Sequence, residues 1–227
     1  MSYQLHDMPA QIAPALLAKA ERVETATIGH KRLMGFCDPA IQAMIPSRHA
    51  AGTAVTLALP GQDSTLLHHV IQFLRPGDIL VIDRLGDLKH ACLGGGVACA
   101  IKATGCAGVV IDGSCTDLPE IEQYALPVWC RGPSPITTRL LDIGGCFNVD
   151  IACGGAVARP GDVVVCDMSG VLIMPPHEAE ADIDWALGKQ EAEPASHEAL
   201  KRGEKLGERT GASKMVEAKV GSDQRGR

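Results

Sequence analysis

The sequence has few aromatic residues and no excess of positive charge. Phe, Trp and Tyr make up 3% of its 227 residues, and 27 acidic residues against 21 Lys and Arg give a formal net charge of −6. Binding along a nucleic-acid backbone needs a basic surface, and binding of single strands needs aromatic platforms. Both shortages argue against nucleic acid as a partner.

A long apolar run is also missing. Although 46% of the residues are hydrophobic, no stretch reaches the roughly 18 residues that cross a bilayer. Asp7, Glu21 and Glu24 stand where a secretory signal has basic and then apolar residues. We therefore expect no membrane segment and no export signal, and predict a cytoplasmic protein.

Nine cysteines are present, but none forms the CxxC pair from which many zinc sites are built. They are scattered and lie mostly in apolar segments, so we expect reduced, buried thiols. Cys115, which stands beside Asp117, is the candidate for a reactive thiol.

Apolar periodicity and turn residues predict helices and strands in alternation. Residues 9–32 suit one or two amphipathic helices, Asp38-Pro39 is a favourable start for a short helix over IQAMI (41–45), and GTAVTLAL (52–59) suits a strand. Further along we predict helices over 65–74, 96–104, 118–124 and 177–206, strands over 108–112 and 127–132, and a β-rich region over 144–175.

One sequence pattern occurs twice. RPGDILVID (75–83) returns as RPGDVVVCD (159–167). In each copy Pro-Gly predicts a tight turn with the glycine at positive φ, followed by an apolar strand that ends in an aspartate. The repeat indicates two similar turn-strand units in one core.

The length favours one domain with appendages. We assign residues 1–176 to a single α/β domain, 177–206 to a charged C-terminal helical extension, and 207–227 to a polar, Gly-rich, flexible tail.

The stretch from residue 80 to 120 carries the densest set of functional candidates. Three glycines, Gly94 to Gly96, open an Ala-rich helix after an apolar strand, and Asp117 follows the next strand. In an α/β sheet, ligands bind where strands end and helices begin, because backbone N–H groups there are free and the helix dipole favours anions. We expect both segments to face one cleft.

The order of AVTL, PGDILVID, LGGG, GVVIDGSCTDLPE, PVWCRGPSP and CGGAVARPGDVVVCDMSGVLIMPP resembles a known family over roughly residues 35–176. That family contains the regulator of ribonuclease activity A and the class II 4-hydroxy-4-methyl-2-oxoglutarate and 4-carboxy-4-hydroxy-2-oxoadipate aldolases. The resemblance implies a layered α/β sandwich with a mixed β core, of the swivelling-domain-like kind. It also implies a homotrimer or a dimer of trimers with sites between subunits.

The family's enzymes share a glycine, twenty residues, Arg-Asp, two residues and an acid. Here the pattern falls on Gly95, Thr116, Asp117 and Glu120, so threonine replaces the arginine. By resemblance Asp117 anchors Mg²⁺ or Mn²⁺, largely through waters, Glu120 orients a water, and the backbone of Gly94 to Gly96 binds the substrate. Alternatively, Asp117 caps the helix after it and Glu120 is an ordinary first-turn acid.

Thr116 has no charge with which to bind a pyruvyl carboxylate. Arg84, Lys89, Arg131 and Arg139 lie near predicted strand ends and are candidates to replace the missing arginine. The sequence does not choose among them.

Other polar residues in this part of the chain have competing explanations. Asp83 and Asp87, in the loop after a strand, are further candidates for ordering water or moving a proton, with a solvated loop as the alternative. Asp63 is expected to be a turn residue, and His68 a helical residue that is partly packed or exposed.

These features predict a divalent-metal-dependent lyase that cleaves or decarboxylates a small oxo acid through a metal-stabilised enolate. A relative acting on a different substrate is one alternative, which Thr116 favours. A non-catalytic protein of the ribonuclease-regulator type is the other, but that branch keeps the arginine and has lost the acid, the reverse of this chain.

Overall fold

The computed structural model describes residues 2–46 and 48–223, with side chains as far as residue 220. The strands are β1 (Tyr3–Leu5), β2 (Gln42–Ala43), β3 (Ala50–Ala58), β4 (Asp78–Asp83), β5 (Ala91–Leu93), β6 (Gly108–Asp112), β7 (Ser114–Cys115), β8 (Val128–Cys130), β9 (Gly145–Phe147), β10 (Ile151–Cys153), β11 (Ala156–Ala158), β12 (Val163–Cys166) and β13 (Val171–Met174). The helices are α1 (Pro14–Ala20), α2 (Thr25–Gly29), α3 (Thr65–Val70), α4 (Gly95–Ala103), α5 (Leu118–Gln123), α6 (Pro176–Lys201), α7 (Leu206–Thr210) and α8 (Ala212–Asp223), with a 3-10 turn over Ile71–Phe73.

Four parallel strands, in the order β3–β4–β6–β8, form the centre of a nine-stranded mixed sheet. The other edge of β3 is shared, because β12 pairs antiparallel with its first half and β9 with its end. All nine residues of β3 are buried. A strand that is covered on both faces needs this continuous apolar sequence.

Successive residues of β4 enter opposite faces of the sheet. Leu80 and Ile82 pack with apolar residues of α3, α4 and α5, whereas Ile79 and Val81 pack with the β10–β11 hairpin. A third cluster joins α1 and α2 to the early turns of α6. These layers around a mixed sheet confirm the predicted α/β sandwich.

The two copies of the Arg-Pro-Gly-Asp pattern form the predicted turns. Gly77 has φ +84° and Gly161 φ +93°, and in each copy the aspartate accepts a hydrogen bond from the backbone N–H of its arginine at 2.9 Å. The strands that follow lie on the two sides of β3, one parallel and one antiparallel. The two copies of the pattern therefore place one strand on each side of β3.

The helix predicted over 41–45 is wrong. Gln42–Ala43 forms β2, which pairs antiparallel with β8, and the N–H of Met44 donates to the Val128 carbonyl at 2.8 Å. Ile41 and Ile45 are both buried. An open sheet edge offers this short segment more backbone hydrogen bonds than a single helical turn provides.

The chain divides into two compact units, residues 1–187 and 188–227. The first extends eleven residues past the predicted boundary at 176, because Ala179, Ile183 and Ala186 of α6 are fully buried. In the part of the chain that the structure describes, the second consists of the later turns of α6 with α7 and α8, whereas the sequence predicts a flexible tail from residue 207. Within the described residues, no helix is both long and apolar enough to cross a membrane.

Candidate active site

A short pair of parallel strands builds the cleft. β5 pairs with β7, and the N–H of Thr116 donates to the Leu93 carbonyl at 2.8 Å. The carboxyl ends of the two strands therefore lie side by side. This pairing makes the glycines that open α4 neighbours of Thr116 and Asp117, although Gly95 and Asp117 are 22 residues apart in sequence.

Asp117 has a left-handed backbone, with φ 56° and ψ 46°, and its side chain makes no capping hydrogen bond to its own helix α5. Instead, its Oδ2 accepts the N–H of Gly95, the first residue of α4, at 2.9 Å. Its Oδ1 lies 3.2 Å from the Thr116 hydroxyl. The carboxylate thus caps the neighbouring helix, and the alternative that its side chain caps α5 is not observed.

The glycines leave room for two carboxylates. A Cβ on Gly94 would come within 2.6 Å of Asp117 Oδ2, and one on Gly95 would collide with the carboxylate of Glu120. A Cβ on Gly96 would meet nothing within 4 Å. Any larger residue at 94 or 95 would therefore displace one of the two acids, whereas position 96 is tolerant.

The cleft has a volume of about 540 Å³. One wall is the start of α4 with Thr116 and Asp117, a second is the segment 137–140, and a third is a face of α3 and the 3-10 turn after it. From this third wall the residues that line the cleft are Ser64, His68, Ile71 and Gln72.

Asp63 fixes the second wall to the third. Its Oδ1 accepts the N–H of Thr65 at 2.9 Å and of Leu141 at 3.0 Å, and its Oδ2 accepts the N–H of Ile143 at 2.8 Å. Burial alone would raise the pKa of this carboxyl, but these hydrogen bonds and one from the Thr65 hydroxyl outweigh it and lower the pKa to about 2. Asp63 is a turn residue, as predicted. It also holds two walls of the cleft together, which the sequence did not reveal.

Asp83 and Asp87 lie outside the residues that line the cleft. Asp83 ends β4 beside Asp112 of β6, and burial first, then the charge of Asp112, raises its pKa. Asp87 is bound within its own loop, where its Oδ2 lies 2.7 Å from His90 Nδ1. Burial would raise the pKa of Asp87, but hydrogen bonds from Lys89 and His90 lower it.

Cys115 is not placed to react. It is fully buried, its Sγ lies 3.5 Å from that of Cys130, and this contact and then burial raise its pKa. A thiol needs exposure and a lowered pKa to act as a nucleophile.

Comparison with known proteins assigns the family. The sequence model of the Aldolase/RraA family matches residues 20–173. A protein of Halalkalibacterium halodurans named "Putative 4-hydroxy-4-methyl-2-oxoglutarate aldolase" is 32% identical over 160 residues, which are 70% of this chain and 76% of that protein. The chain belongs to the Aldolase/RraA family.

Solved structures agree with this Aldolase/RraA assignment. Streptomyces coelicolor RraAS2, described as an unusual member of the RNase ES inhibitor RraA protein family, superposes with a TM-score of 0.74 at 28% identity, covering 85% of this chain and 98% of that one. An uncharacterized protein of Pseudomonas syringae has the same TM-score at 23% identity, covering 91% of this chain and 98% of that one, which supports the fold alone. The Aldolase/RraA family thus includes proteins named as lyases and proteins named as ribonuclease inhibitors.

The sequence alone did not identify the whole cleft of this family member. Ser64, His68 and Gln72 line it together with Thr137 and Thr138, and none of them was a predicted site residue. These residues come from two segments that lie some 75 residues apart in the sequence. Contacts between the two segments, such as the hydrogen bond from Ser64 N–H to the Arg139 carbonyl at 3.0 Å, place them beside the glycines and Asp117. No local pattern reports such a contact.

Proposed function

We propose that this protein is a divalent-metal-dependent lyase that releases pyruvate from a 2-oxo acid, by retro-aldol cleavage or by decarboxylation. The observation that carries the proposal is that Asp117 lines the cleft against the bare backbone of Gly94 and Gly95, with the carboxylate of Glu120 packed against Gly95. Curated relatives named as aldolases support the lyase class.

The donor set suits a hydrated cation. No group of three or more His, Cys, Asp or Glu side chains within residues 2–46 and 48–220 is arranged to hold a metal ion, so a zinc site with three or four protein ligands does not fit. Mg²⁺ keeps several waters and takes one or two carboxylates. Asp117, with the Glu120 carboxylate close by and both acids exposed to solvent, meets that requirement for Mg²⁺ or Mn²⁺.

A cation held by Asp117 would supply a Lewis acid for the negative charge that develops on the keto oxygen of the substrate. The protein's own groups do the remaining work. Glu120 orders the water that takes the proton from the hydroxyl of the aldol substrate and returns a proton to the carbon left after cleavage. The backbone N–H groups at the start of α4 that follow Gly95, whose own N–H is bound to Asp117, bind the anionic end of the substrate.

Asp83 and Asp87 have no part in this proposal. Both side chains are tied to groups away from the cleft. Thr116 lines the cleft beside Asp117 and offers only a hydroxyl to the substrate.

Pyruvate release from oxaloacetate or 4-hydroxy-4-methyl-2-oxoglutarate tests the proposal. With Mg²⁺ or Mn²⁺ the wild type should form pyruvate, and a chelator should stop it. Asp117→Asn keeps an acceptor for the Gly95 N–H but removes the charge, so it should lose turnover and metal binding while retaining its melting temperature. Asp117→Ala should also lose turnover and metal binding, and its melting temperature should be lower than that of the wild type.

Asp150→Asn serves as the matched control, since Asp150 is exposed and its ion pair among the described residues is with Arg159 on the surface. Turnover that resists the chelator, or full activity in Asp117→Asn, would contradict the metal role. If the wild type neither binds metal nor turns over either acid, the lyase proposal fails and a regulatory role like that named for the Streptomyces relative is favoured. Turnover that appears only in Thr116→Arg would instead indicate a different natural substrate.

A further inference from the structure

The cleft already holds one negative charge, that of Asp117, and the carboxylate of Glu120 lies against Gly95 next to it. An anionic substrate entering it needs a positive group that does not depend on pH. Of the described residues that line the cleft, Arg139 is the one that carries a permanent positive charge. A guanidinium is also the side chain best suited to bind a carboxylate through two parallel hydrogen bonds.

The backbone of Arg139 is fixed. Its N–H donates to the Gln62 carbonyl at 2.8 Å, and its carbonyl accepts the N–H of Ser64 at 3.0 Å. Asp63 binds the N–H groups of Leu141 and Ile143 just beyond. The side chain therefore extends from an anchored segment rather than from a loose loop.

The guanidinium itself is uncommitted. It makes no ion pair and no side-chain hydrogen bond with the residues that the structure describes, and it is exposed. Binding of a carboxylate to this guanidinium has little energetic cost, because no existing ion pair or side-chain hydrogen bond has to be broken.

The other three cations near strand ends either bind other groups of the protein or do not line the cleft. Arg131 is bound to Asp112 at 2.5 Å and to Asp38 at 3.0 Å. Arg84 is fully buried and donates to the Gly61 carbonyl. Lys89 lies outside the residues that line the cleft.

We propose that Arg139 binds a carboxylate of the oxo acid and is the residue that sets the preference of this cleft for anionic substrates. The proposal rests on the lyase function proposed above. By resemblance to the family's enzymes, the carboxylate-binding arginine would stand at position 116, on the first wall. In this protein Arg139 supplies that charge from the second wall, so the substrate lies between Arg139 and the start of α4.

The test combines turnover with a binding measurement that needs no reaction. Oxalate, a small dianion that resembles the enolate of pyruvate, is titrated into wild type and variants in the presence of Mg²⁺ by calorimetry, and KM and kcat are measured with oxaloacetate. The variants are Arg139→Gln, Arg139→Lys, Thr116→Arg in the Arg139→Gln background, and Arg159→Gln. Arg159→Gln is the matched control, because Arg159 lines a different cleft.

Losing a charge-assisted pair should raise KM and the oxalate Kd of Arg139→Gln about ten- to hundredfold, with kcat changed much less. Arg139→Lys should recover part of the loss, because a lysine offers the charge without the paired donors. Thr116→Arg should recover binding in the Arg139→Gln background. Arg159→Gln should behave as wild type.

The results distinguish the failure of one proposal from the failure of both. If the wild type releases pyruvate and Arg139→Gln matches Arg159→Gln in KM and in oxalate binding, the role of Arg139 is refuted and the lyase function stands. If the wild type releases no pyruvate but binds oxalate in an Arg139-dependent way, the lyase function fails and the anion site stands. If the wild type neither turns over nor binds oxalate, both fail.

Discussion

Asp63→Asn removes one negative charge from a buried position with almost no change in side-chain volume. Asp63 is 1% exposed, and its two oxygens accept backbone N–H groups from Thr65, Leu141 and Ile143. An asparagine has one oxygen and must turn an NH₂ group toward at least one of these donors. The variant therefore loses both the charge and one or more hydrogen bonds.

The size of the effect follows from the pKa. The pKa of the Asp63 carboxyl falls from 3.8 to about 2 in the folded protein, and each pKa unit corresponds to about 1.36 kcal/mol. Ionised Asp63 therefore contributes about 2.5 kcal/mol to the free energy of unfolding at pH 7. Because the folded pKa is depressed, this contribution is complete above about pH 5, falls to about 1.3 kcal/mol at pH 3, and is nearly lost at pH 2.

Urea unfolding, followed by the fluorescence of Trp129 and Trp185 at constant protein concentration, measures this difference between pH 3 and pH 7. We expect Asp63→Asn to be about 2 to 3 kcal/mol less stable than wild type at pH 7, with the gap narrowing by about half at pH 3. Asp150→Asn, which changes an exposed surface pair, should cost under about 1 kcal/mol at both pH values. A gap below about 0.5 kcal/mol at pH 7, or one that stays constant to pH 3, would refute the reasoning.

Three further predictions test other features. Gly95→Ala should lower the melting temperature because its methyl group collides with Glu120, whereas Gly96→Ala should raise stability by about 0.5–1 kcal/mol, since its methyl group meets no neighbour; equal effects in thermal unfolding would contradict this. Iodoacetamide should label exposed Cys99 in the native protein and buried Cys115 only after denaturation, as peptide mass spectrometry can show. Light scattering should give the mass of three or six chains, and a monomeric mass would overturn the predicted trimer or dimer of trimers.

The sequence predicted those parts of the fold that depend on local chemistry. The Pro-Gly turns at Gly77 and Gly161 follow from the need for positive φ, and the strands after them follow from unbroken apolar runs between turn residues. The positions of Gly95 and Asp117, each just after a predicted strand, predicted one shared cleft, and the β5–β7 pair brings the two residues together.

The rest depends on pairing between distant segments. IQAMI has an acceptable helix start and yet forms β2, because the edge of β8 is available to it. Arg139 was one of four equivalent cations in the sequence. Only the hydrogen bonds between its backbone and Gln62 and Ser64 bring it to the cleft, and no periodicity or motif encodes contacts across some 75 residues.

The conformation of Asp117 explains why Gly95 and this acid stand 22 residues apart in the chain. Its left-handed backbone, which Asp tolerates better than most residues, turns the carboxylate back across the end of β7 so that one oxygen caps α4. The space that this carboxylate occupies is the space a Cβ at Gly94 would fill, and Glu120 fills the corresponding space at Gly95. A side chain at either Gly94 or Gly95 would therefore displace one of the two acids. A cap on α4 and a cation at the same carboxylate are compatible, because capping uses Oδ2 and leaves Oδ1 beside the Thr116 hydroxyl.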